Sequence, residues 1–361
     1  MNIISNKNSL FDQKQVDVLS WLRFPLIVGV IFAHCNLYDL VEHWENTAPQ
    51  WPGWLIWIFK YLYIIVFPAR VQLLFIISGY FFFRAEKERD KFFFINKYKR
   101  RIYSLLIPYI IWNTIAIALQ YVRFAILEDG DFTITDYLSG FWNSTISSNG
   151  MPADGPLWFV RNLMIVSLLS PIIYILINSK YAFITIIALS LGLIFNIDIH
   201  TTGLSLDTIL FFSIGALIAL KKYDFTSIPH YIGIITLILY FPIQLLVISI
   251  NENTSFIHLL DFSCCIIKIT AVLYTVSLLF RKNILKPTPQ FTKISFFLYA
   301  IHGIIIGPII KTMYLAMGDT NICLLTIYIT TPLIIYFVSN ILHKLLAKYS
   351  PNILKLLAGS R

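Results

Sequence analysis

Ten long apolar runs dominate the sequence, and they limit the folds open to the chain. A helix needs about 20 mostly apolar residues to cross the ~30 Å hydrocarbon core of a bilayer. Charged residues make up only 13% of the 361 residues, against about 25% in a typical soluble domain. The runs cover residues 17–38, 69–83, 102–127, 157–178, 181–197, 205–220, 231–250, 257–280, 291–313 and 321–347. We therefore predict an all-α integral membrane protein, a bundle of about ten transmembrane helices forming a single domain over residues 1–361.

Within these runs, two prolines are expected to interrupt helices. Pro68 separates the apolar stretch 54–67 from the second run, and Pro171 lies inside the fourth. Proline has no backbone N–H and its ring clashes with the carbonyl four residues earlier. We expect a break at Pro68 and a kink at Pro171.

The distribution of lysine and arginine predicts the orientation. With a cytoplasmic N-terminus, most of the 28 basic residues fall in cytoplasmic segments, eight of them between Arg84 and Arg101, and the opposite loops are acidic or neutral. The positive-inside rule then predicts cytoplasmic N- and C-termini and a short cytoplasmic tail over residues 1–16. This orientation also accounts for the net charge of +9, so we predict no nucleic-acid partner. No His, Cys, Asp and Glu cluster has metal-ligand spacing, so we predict no metal site.

The first apolar run contains an arginine and a histidine, Arg23 and His34. Ionisable groups inside a membrane span are costly and usually face a protein interior or a wet cavity. Eleven residues correspond to three helical turns plus about 20°, so both side chains point off one face, roughly 16 Å apart along the axis. This pattern suggests a ligand lying along the helix. The alternative is that Arg23 reaches the headgroups and His34 bonds a backbone carbonyl.

Other polar residues in the apolar runs are further candidates. Tyr299 and His302 share one helix face at spacing i, i+3, which packing alone does not readily explain. Arg70 precedes a Ser-Gly pair where another helix or a ligand approaches closely. Arg161 follows Trp158 at the predicted outer face, where it binds a ligand or simply reaches the interface. Lys268 is expected to pair with Asp261, two helical turns away.

A basic cluster precedes the third run, where a helix enters from the predicted cytoplasmic side. It consists of Lys97, Lys99, Arg100 and Arg101. Such a cluster sets topology, holds anionic lipid headgroups, or binds the phosphates of a cytoplasmic donor, which arginine recognises bidentately. Two outer segments, 39–68 and 128–156, are too long for simple turns, and long ordered loops are more often functional than idle.

Taken together, these motifs resemble acyltransferase family 3, multi-pass bacterial membrane proteins that acylate surface glycans. The resemblance covers nearly the whole chain and begins with Arg23-x10-His34, the family's basic-x10-His signature. It continues with FIISGYFFF at 75–83, RRIYSLLIP at 100–108, GPLWFV at 155–160, LFFSIGALI at 210–218 and SFFLYAIH at 295–302. The chain departs from the family's Arg-x-x-Arg entering the third span, because Ser104 follows Arg101 three residues later. Lys97-x-x-Arg100 is one turn earlier and substitutes for it.

The resemblance implies transfer of an acetyl or other short acyl group from cytoplasmic acyl-CoA to a hydroxyl of an extracytoplasmic or lipid-linked glycan. His34 would be the general base, or would carry the acyl group covalently. Arg23 and the basic cluster would hold the donor, and the acceptor or oxyanion would be held by Tyr299, His302, Trp158 and Arg161. The protein would lie in the cytoplasmic (inner) membrane, with acyl-CoA as co-substrate and no bound cofactor. An exporter of a glycan or lipid-linked intermediate, or a membrane scaffold, is the alternative.

Overall fold

The computed structural model describes residues 2–45, 49–84, 89–127, 133–144, 150–197, 203–250 and 255–359, and every regular element in these ranges is a helix. A π-helical turn covers Ile102–Leu106, and 3₁₀ turns cover Gly155–Leu157 and Phe225–Ser227. The α-helices are α1 Asn2–His34, α2 Leu37–Glu45, α3 Gly53–Val66, α4 Arg70–Phe83, α5 Lys91–Arg101, α6 Ile107–Leu127, α7 Ile134–Ser139, α8 Trp158–Leu168, α9 Ser170–Asn178, α10 Ala182–Ile194, α11 Leu206–Lys221, α12 His230–Ser249, α13 Ser255–Arg281, α14 Pro289–Met317, α15 Asn321–Tyr349 and α16 Pro351–Leu357.

The all-α multi-pass architecture is confirmed, but ten spans are not. Helices form in all ten apolar runs. In the described ranges, seven stretches are long and apolar enough to cross a membrane, and α8 with α9 makes an eighth if the bent pair is one span. Helix α10 has 13 residues and α11 has 16, which at 1.5 Å per residue gives about 20 and 24 Å, short of a ~30 Å core. The orientation of the termini stays a prediction.

The two expected proline breaks are both found. Helix α3 ends at Val66 and α4 begins at Arg70, with Ala69 between them in the left-handed conformation at φ 51°. Helices α8 and α9 meet at an angle of 61° next to Pro171. Tyr98 in α5 donates its hydroxyl to the carbonyl oxygen of Leu168 at 3.2 Å, and this bond satisfies a backbone acceptor that the bend leaves exposed.

The tightest helix contact joins α4 to α11 through glycine. A Cβ at Gly79 would strike the backbone of Phe212, and a Cβ at Gly215 would strike the backbone of Ile76. Helix α11 is thus the close neighbour expected at the Ser-Gly pair of α4. Helix α4 also packs against α1, and α1 packs against α14, so α1, α4 and α14 surround one interior region with α8 beside them.

Part of the long loop before α8 is held against α6 by polar side chains of α6. The Tyr109 hydroxyl donates to the carbonyl oxygen of Phe141 at 2.5 Å. Asn113 Oδ1 accepts from the backbone N–H of Asp154 at 3.0 Å, and Gln120 donates to the carbonyl oxygen of Ala153 at 3.3 Å. Within the predicted outer segment 128–156, residues 128–132 and 145–149 lie outside the described residues. The side chains of residues 1–12, in the predicted tail, are also outside them.

One expected contact does not form. Lys268, buried in α13, donates to Oε1 of Gln244 in α12 rather than pairing with Asp261. Two helical turns bring Lys268 and Asp261 near each other, but the buried ammonium finds its hydrogen bond on the neighbouring helix. The ion pair predicted from spacing alone was therefore wrong.

Candidate active site

Two cavities lie along one face of α1. The cavity at the predicted cytoplasmic end, here called the inner cavity, has a volume of about 220 Å³ and is bordered by Arg23 and Ile27 of that helix. The outer cavity, of about 180 Å³, is bordered by Val30, Ala33 and His34. Spacings of four, seven, ten and eleven residues from Arg23 repeat the 3.6-residue period, so the lining positions share a face.

The two cavities are neighbours that share part of their lining. Leu74 of α4, Phe159 of α8 and Tyr299 of α14 line both of them. Helices α4, α8 and α14 therefore supply the wall opposite α1 at the junction. A narrow ligand that extends from Arg23 towards His34 would pass these three side chains.

Two arginines give the inner cavity a positive charge. Arg23 stacks its guanidinium 4.4 Å from the ring centroid of Phe81, and Arg101 stacks 5.5 Å from that of Phe82. Both line the cavity, and their charges repel each other. No carboxylate of the described chain forms an ion pair with either. Two half-buried cations without a counterion among the described residues form a site suited to an anionic ligand.

The basic cluster before the third run divides in the structure. Arg101 immediately precedes the π-helical turn, whose Ser104 and Leu105 also line the inner cavity. Lys99 and Arg100 are exposed and are absent from the lining of both cavities. Lys97 lies 5.1 Å above the ring of Phe93 and is likewise absent from the lining. Of the four predicted donor-binding residues, the structure therefore brings one together with Arg23.

The outer cavity contains His34, the last residue of α1. Its side chain is exposed and borders this cavity. Trp158, the first residue of α8, borders the same space together with Arg70, the first residue of α4. The imidazole is therefore not sealed in a packed core, and a ligand in the cavity can reach it.

His302 and Tyr299 lie immediately behind His34. The rings of His34 and His302 have centroids 5.4 Å apart, and those of Tyr299 and His302 are 5.6 Å apart. The Tyr299 hydroxyl donates to the carbonyl oxygen of Pro156, and His302 Nδ1 bonds the carbonyl oxygen of Tyr299. Because a carbonyl oxygen can only accept, Nδ1 carries the proton and Nε2 presents a lone pair. That buried Nε2 has no hydrogen-bond partner in the described part of the protein.

Arg161 occupies a different place from the other predicted site residues. It is 4% exposed, and its Nη1 donates to the carbonyl oxygens of Trp142 and Gly150, the latter at 2.8 Å. It is absent from the lining of both cavities. Arg161 therefore fastens the loop that precedes α8, and it does not lie with His34.

Sequence reasoning gave no role to Asp154, which the structure buries beside this site. It is 2% exposed, both carboxylate oxygens lack a hydrogen-bond partner in the described chain, and one of them lies where Gly303 would carry a Cβ. Burial raises the pKa of the Asp154 carboxyl well above its usual range, because a carboxylate loses hydration there. The sequence signal is its place directly before GPLWFV, a motif that carries the family resemblance.

In the described ranges, no three His, Cys, Asp or Glu side chains come together where they could hold a metal ion. The site instead consists of an inner pair of cations and an outer imidazole, with the side chains of Leu74, Phe159 and Tyr299 between them. This arrangement can bind an anion at one end and accept a proton at the other.

Comparison with known proteins identifies a family and one similar protein. The model of the acyltransferase domain family matches residues 16–345. A succinoglycan biosynthesis protein of Rhizobium meliloti (strain 1021), ExoH, is 26% identical over 366 residues, covering 95% of this chain and 92% of that protein. No solved structure matches significantly.

Proposed function

The chain belongs to the acyltransferase domain family, and from that membership we propose that it is a membrane O-acyltransferase acting on a glycan. The donor is a cytoplasmic acyl-CoA, with acetyl-CoA as the first case. The acceptor is a hydroxyl of an extracytoplasmic or lipid-linked polysaccharide, in keeping with the similarity to a succinoglycan biosynthesis protein.

One observation carries this proposal: two neighbouring cavities, with three lining residues in common, place a pair of arginines and a histidine along a single helix face. Acyl-CoA is a thin molecule with an anionic nucleotide at one end and a thioester at the other. The positive charges of Arg23 and Arg101 match the negative phosphates of the nucleotide. The apolar side chains between the arginines and His34 match the thin chain that links the nucleotide to the thioester. The thioester then lies in the outer cavity next to His34.

The chemistry assigned to His34 is general-base catalysis. Neutral imidazole takes the proton of the acceptor hydroxyl, and the oxygen attacks the thioester carbonyl carbon. The carbon–sulfur bond then breaks, and the imidazolium returns the proton to the leaving thiolate of CoA. A positioned base contributes about 10²–10⁴-fold to such a step. His302 packs against the His34 ring and helps to fix its orientation.

The acceptor enters from the outer side, under the segments before α4 and α8. Trp158 lines the outer cavity and offers an aromatic surface for a sugar ring. Arg161 contributes indirectly, because it holds the loop that precedes Trp158.

The proposal is tested with purified protein in lipid vesicles, radiolabelled acetyl-CoA and a crude surface-glycan extract from cells lacking the protein. Label should appear in the glycan fraction, and His34→Ala should lower the rate by about 10²-fold or more. His258→Ala is the matched control, since His258 lines neither cavity, and it should retain full activity. Both variants should accumulate in the membrane like the wild type.

Near-normal activity of His34→Ala would refute the assignment of His34 as the general base. Movement of the glycan across the membrane without any need for acyl-CoA would indicate an exporter.

A further inference from the structure

The outer cavity contains a second charged group that the proposed mechanism leaves unused. Arg70 lines it together with His34. Its guanidinium lies 4.6 Å from the ring centroid of Tyr63, which holds it from one side. The Tyr63 phenol also forms a side-chain hydrogen bond with Arg70, which uses only part of its five N–H groups, and Tyr328 and the His34 imidazole act on Arg70 electrostatically. Among the described residues, none of its neighbours is a carboxylate in ion-pair contact.

An acyl transfer needs such a charge. When the acceptor oxygen adds to the thioester, the carbonyl oxygen becomes an oxyanion, and preorganised donors around that oxygen usually give the largest single contribution to catalysis. In a site shielded from bulk water, a cation at this position interacts more strongly than it would in solution.

The two donors suggested by the sequence already serve other acceptors. The Tyr299 hydroxyl donates to the carbonyl oxygen of Pro156. The proton on His302 Nδ1 is bonded to the carbonyl oxygen of Tyr299, and Nε2 can only accept. Neither residue has a free N–H or O–H to offer an oxyanion in this arrangement.

Two further features of the cavity favour Arg70. It is the first residue of α4, a helix of 14 residues, so the positive end of the helix dipole adds to its charge. The indole of Trp158 also borders the cavity, but it is a single neutral donor, whereas a guanidinium is charged and has five N–H groups.

We propose that Arg70 is a catalytic residue that stabilises the oxyanion of the tetrahedral intermediate. The acceptor oxygen forms a bond to the thioester carbon while His34 takes its proton, and the carbonyl oxygen carries the resulting negative charge against the Arg70 guanidinium. The intermediate collapses by breaking the carbon–sulfur bond, and the CoA thiolate receives the proton from the His34 imidazolium. The assignment rests on the proposed function.

The test compares Arg70→Met, Arg70→Ala, Arg70→Lys and Trp158→Phe in the full-length protein, with acetyl-CoA and the same glycan extract, and with succinyl-CoA as a second donor. Arg70→Met should lower kcat by about 10²–10³-fold and change KM for acetyl-CoA by less than about threefold. Arg70→Lys should recover part of kcat because it keeps the charge, and added guanidinium ions should restore activity to Arg70→Ala. Trp158→Phe keeps an aromatic surface for the sugar ring but removes the indole N–H, so its loss of kcat should be smaller than that of Arg70→Met.

Several outcomes would overturn the assignment. A rise in KM alone, or a loss confined to an acyl donor that carries a free carboxylate, would make Arg70 a recognition residue for an anionic substrate group. An equal kcat loss in Trp158→Phe would move the oxyanion donor to the indole. If Arg70→Met does not accumulate in the membrane, the guanidinium rescue of Arg70→Ala and the activity of Arg70→Lys still test the assignment. A wild-type protein that labels no glycan would reject the proposed function itself, whereas an active wild type with an equally active Arg70→Met would reject only this inference.

Discussion

Arg100 and Arg101 carry the same side chain at adjacent positions, yet their surroundings differ. Arg101 lines the inner cavity, while Arg100 is exposed at the surface. Successive helical residues are rotated by about 100°, so only one of two neighbours can face a given space. The basic cluster therefore contains one residue suited to the donor and others suited to setting topology.

This difference gives a prediction about donor affinity. Arg101→Gln should raise KM for acetyl-CoA about tenfold, because a charge-assisted hydrogen bond to phosphate contributes about 1.5–3 kcal/mol. Lys99→Gln and Arg100→Gln remove the same charge nearby and serve as controls, with changes below about twofold. The measurement is the initial rate as a function of acetyl-CoA concentration. Equal effects of all three substitutions would mean that the cluster acts only through its general field.

The functional side chains differ in how far the sequence reveals them. Arg23 and His34 sit on one helix, so their shared face follows from the helical period. Arg70 was visible as a charge in an apolar region, but its place beside His34 depends on how α4 packs against α1. Asp154 had no signal in composition or period, because its burial comes from a loop folding against α14. Local spacing predicts positions along one helix, and contacts between helices require the structure.

At the scale of helices, two of the motifs behind the family resemblance pack on each other. FIISGYFFF belongs to α4 and LFFSIGALI to α11, and their glycines face each other's backbones at Gly79 and Gly215. Helix α4 also lines both cavities, through Ser78 in the inner one and Arg70 in the outer one. The glycine contact thus fixes the helix that positions the site.

Adding a methyl group at this contact should destabilise the protein. Gly79→Ala or Gly215→Ala pushes the backbones of α4 and α11 apart. Overpacking of this kind lowers the free energy of unfolding by about 1–3 kcal/mol. Gly307→Ala in α14 is the matched control, because a Cβ there meets no atom within 4 Å. We expect a lower apparent melting temperature in detergent for the first two variants and an unchanged or slightly higher one for the control. Equal melting temperatures for all three would contradict the packing argument.

The sequence predicted where helices break better than how many helices cross the membrane. Proline has a local covalent effect, so the interruptions near Pro68 and Pro171 followed directly from the residues. The predicted number of ten transmembrane helices is not confirmed, because an apolar sequence alone does not distinguish a transmembrane helix from a short helix buried among others. Helix α11 is such a case: nine of its 16 residues are buried, and their apolar character reflects contact with α4 and its neighbours.

For the whole molecule, the central feature is that one continuous face of α1 borders two cavities in series. If the proposed function is right, a donor from one side of the bilayer and an acceptor from the other meet where these cavities adjoin, without movement of the glycan across the membrane. Leu74 stands at the junction, since it lines both cavities, and its side chain is 8% exposed.

Filling this junction should separate donor binding from acyl transfer. Leu74→Trp places a large ring between the cavities, so we expect transfer to glycan to fall at least about tenfold while CoA, which has no acyl group, still binds near Arg23 and Arg101. Leu74→Met keeps the volume and is usually tolerated at a cost below about 1.5 kcal/mol, so it should retain activity. Binding of labelled CoA to the purified variants, together with their melting temperatures, distinguishes a blocked passage from a misfolded protein. A Leu74→Trp variant that folds and transfers acyl groups at the wild-type rate would mean that the thioester reaches the acceptor by another route, because no extended arm could then pass the junction.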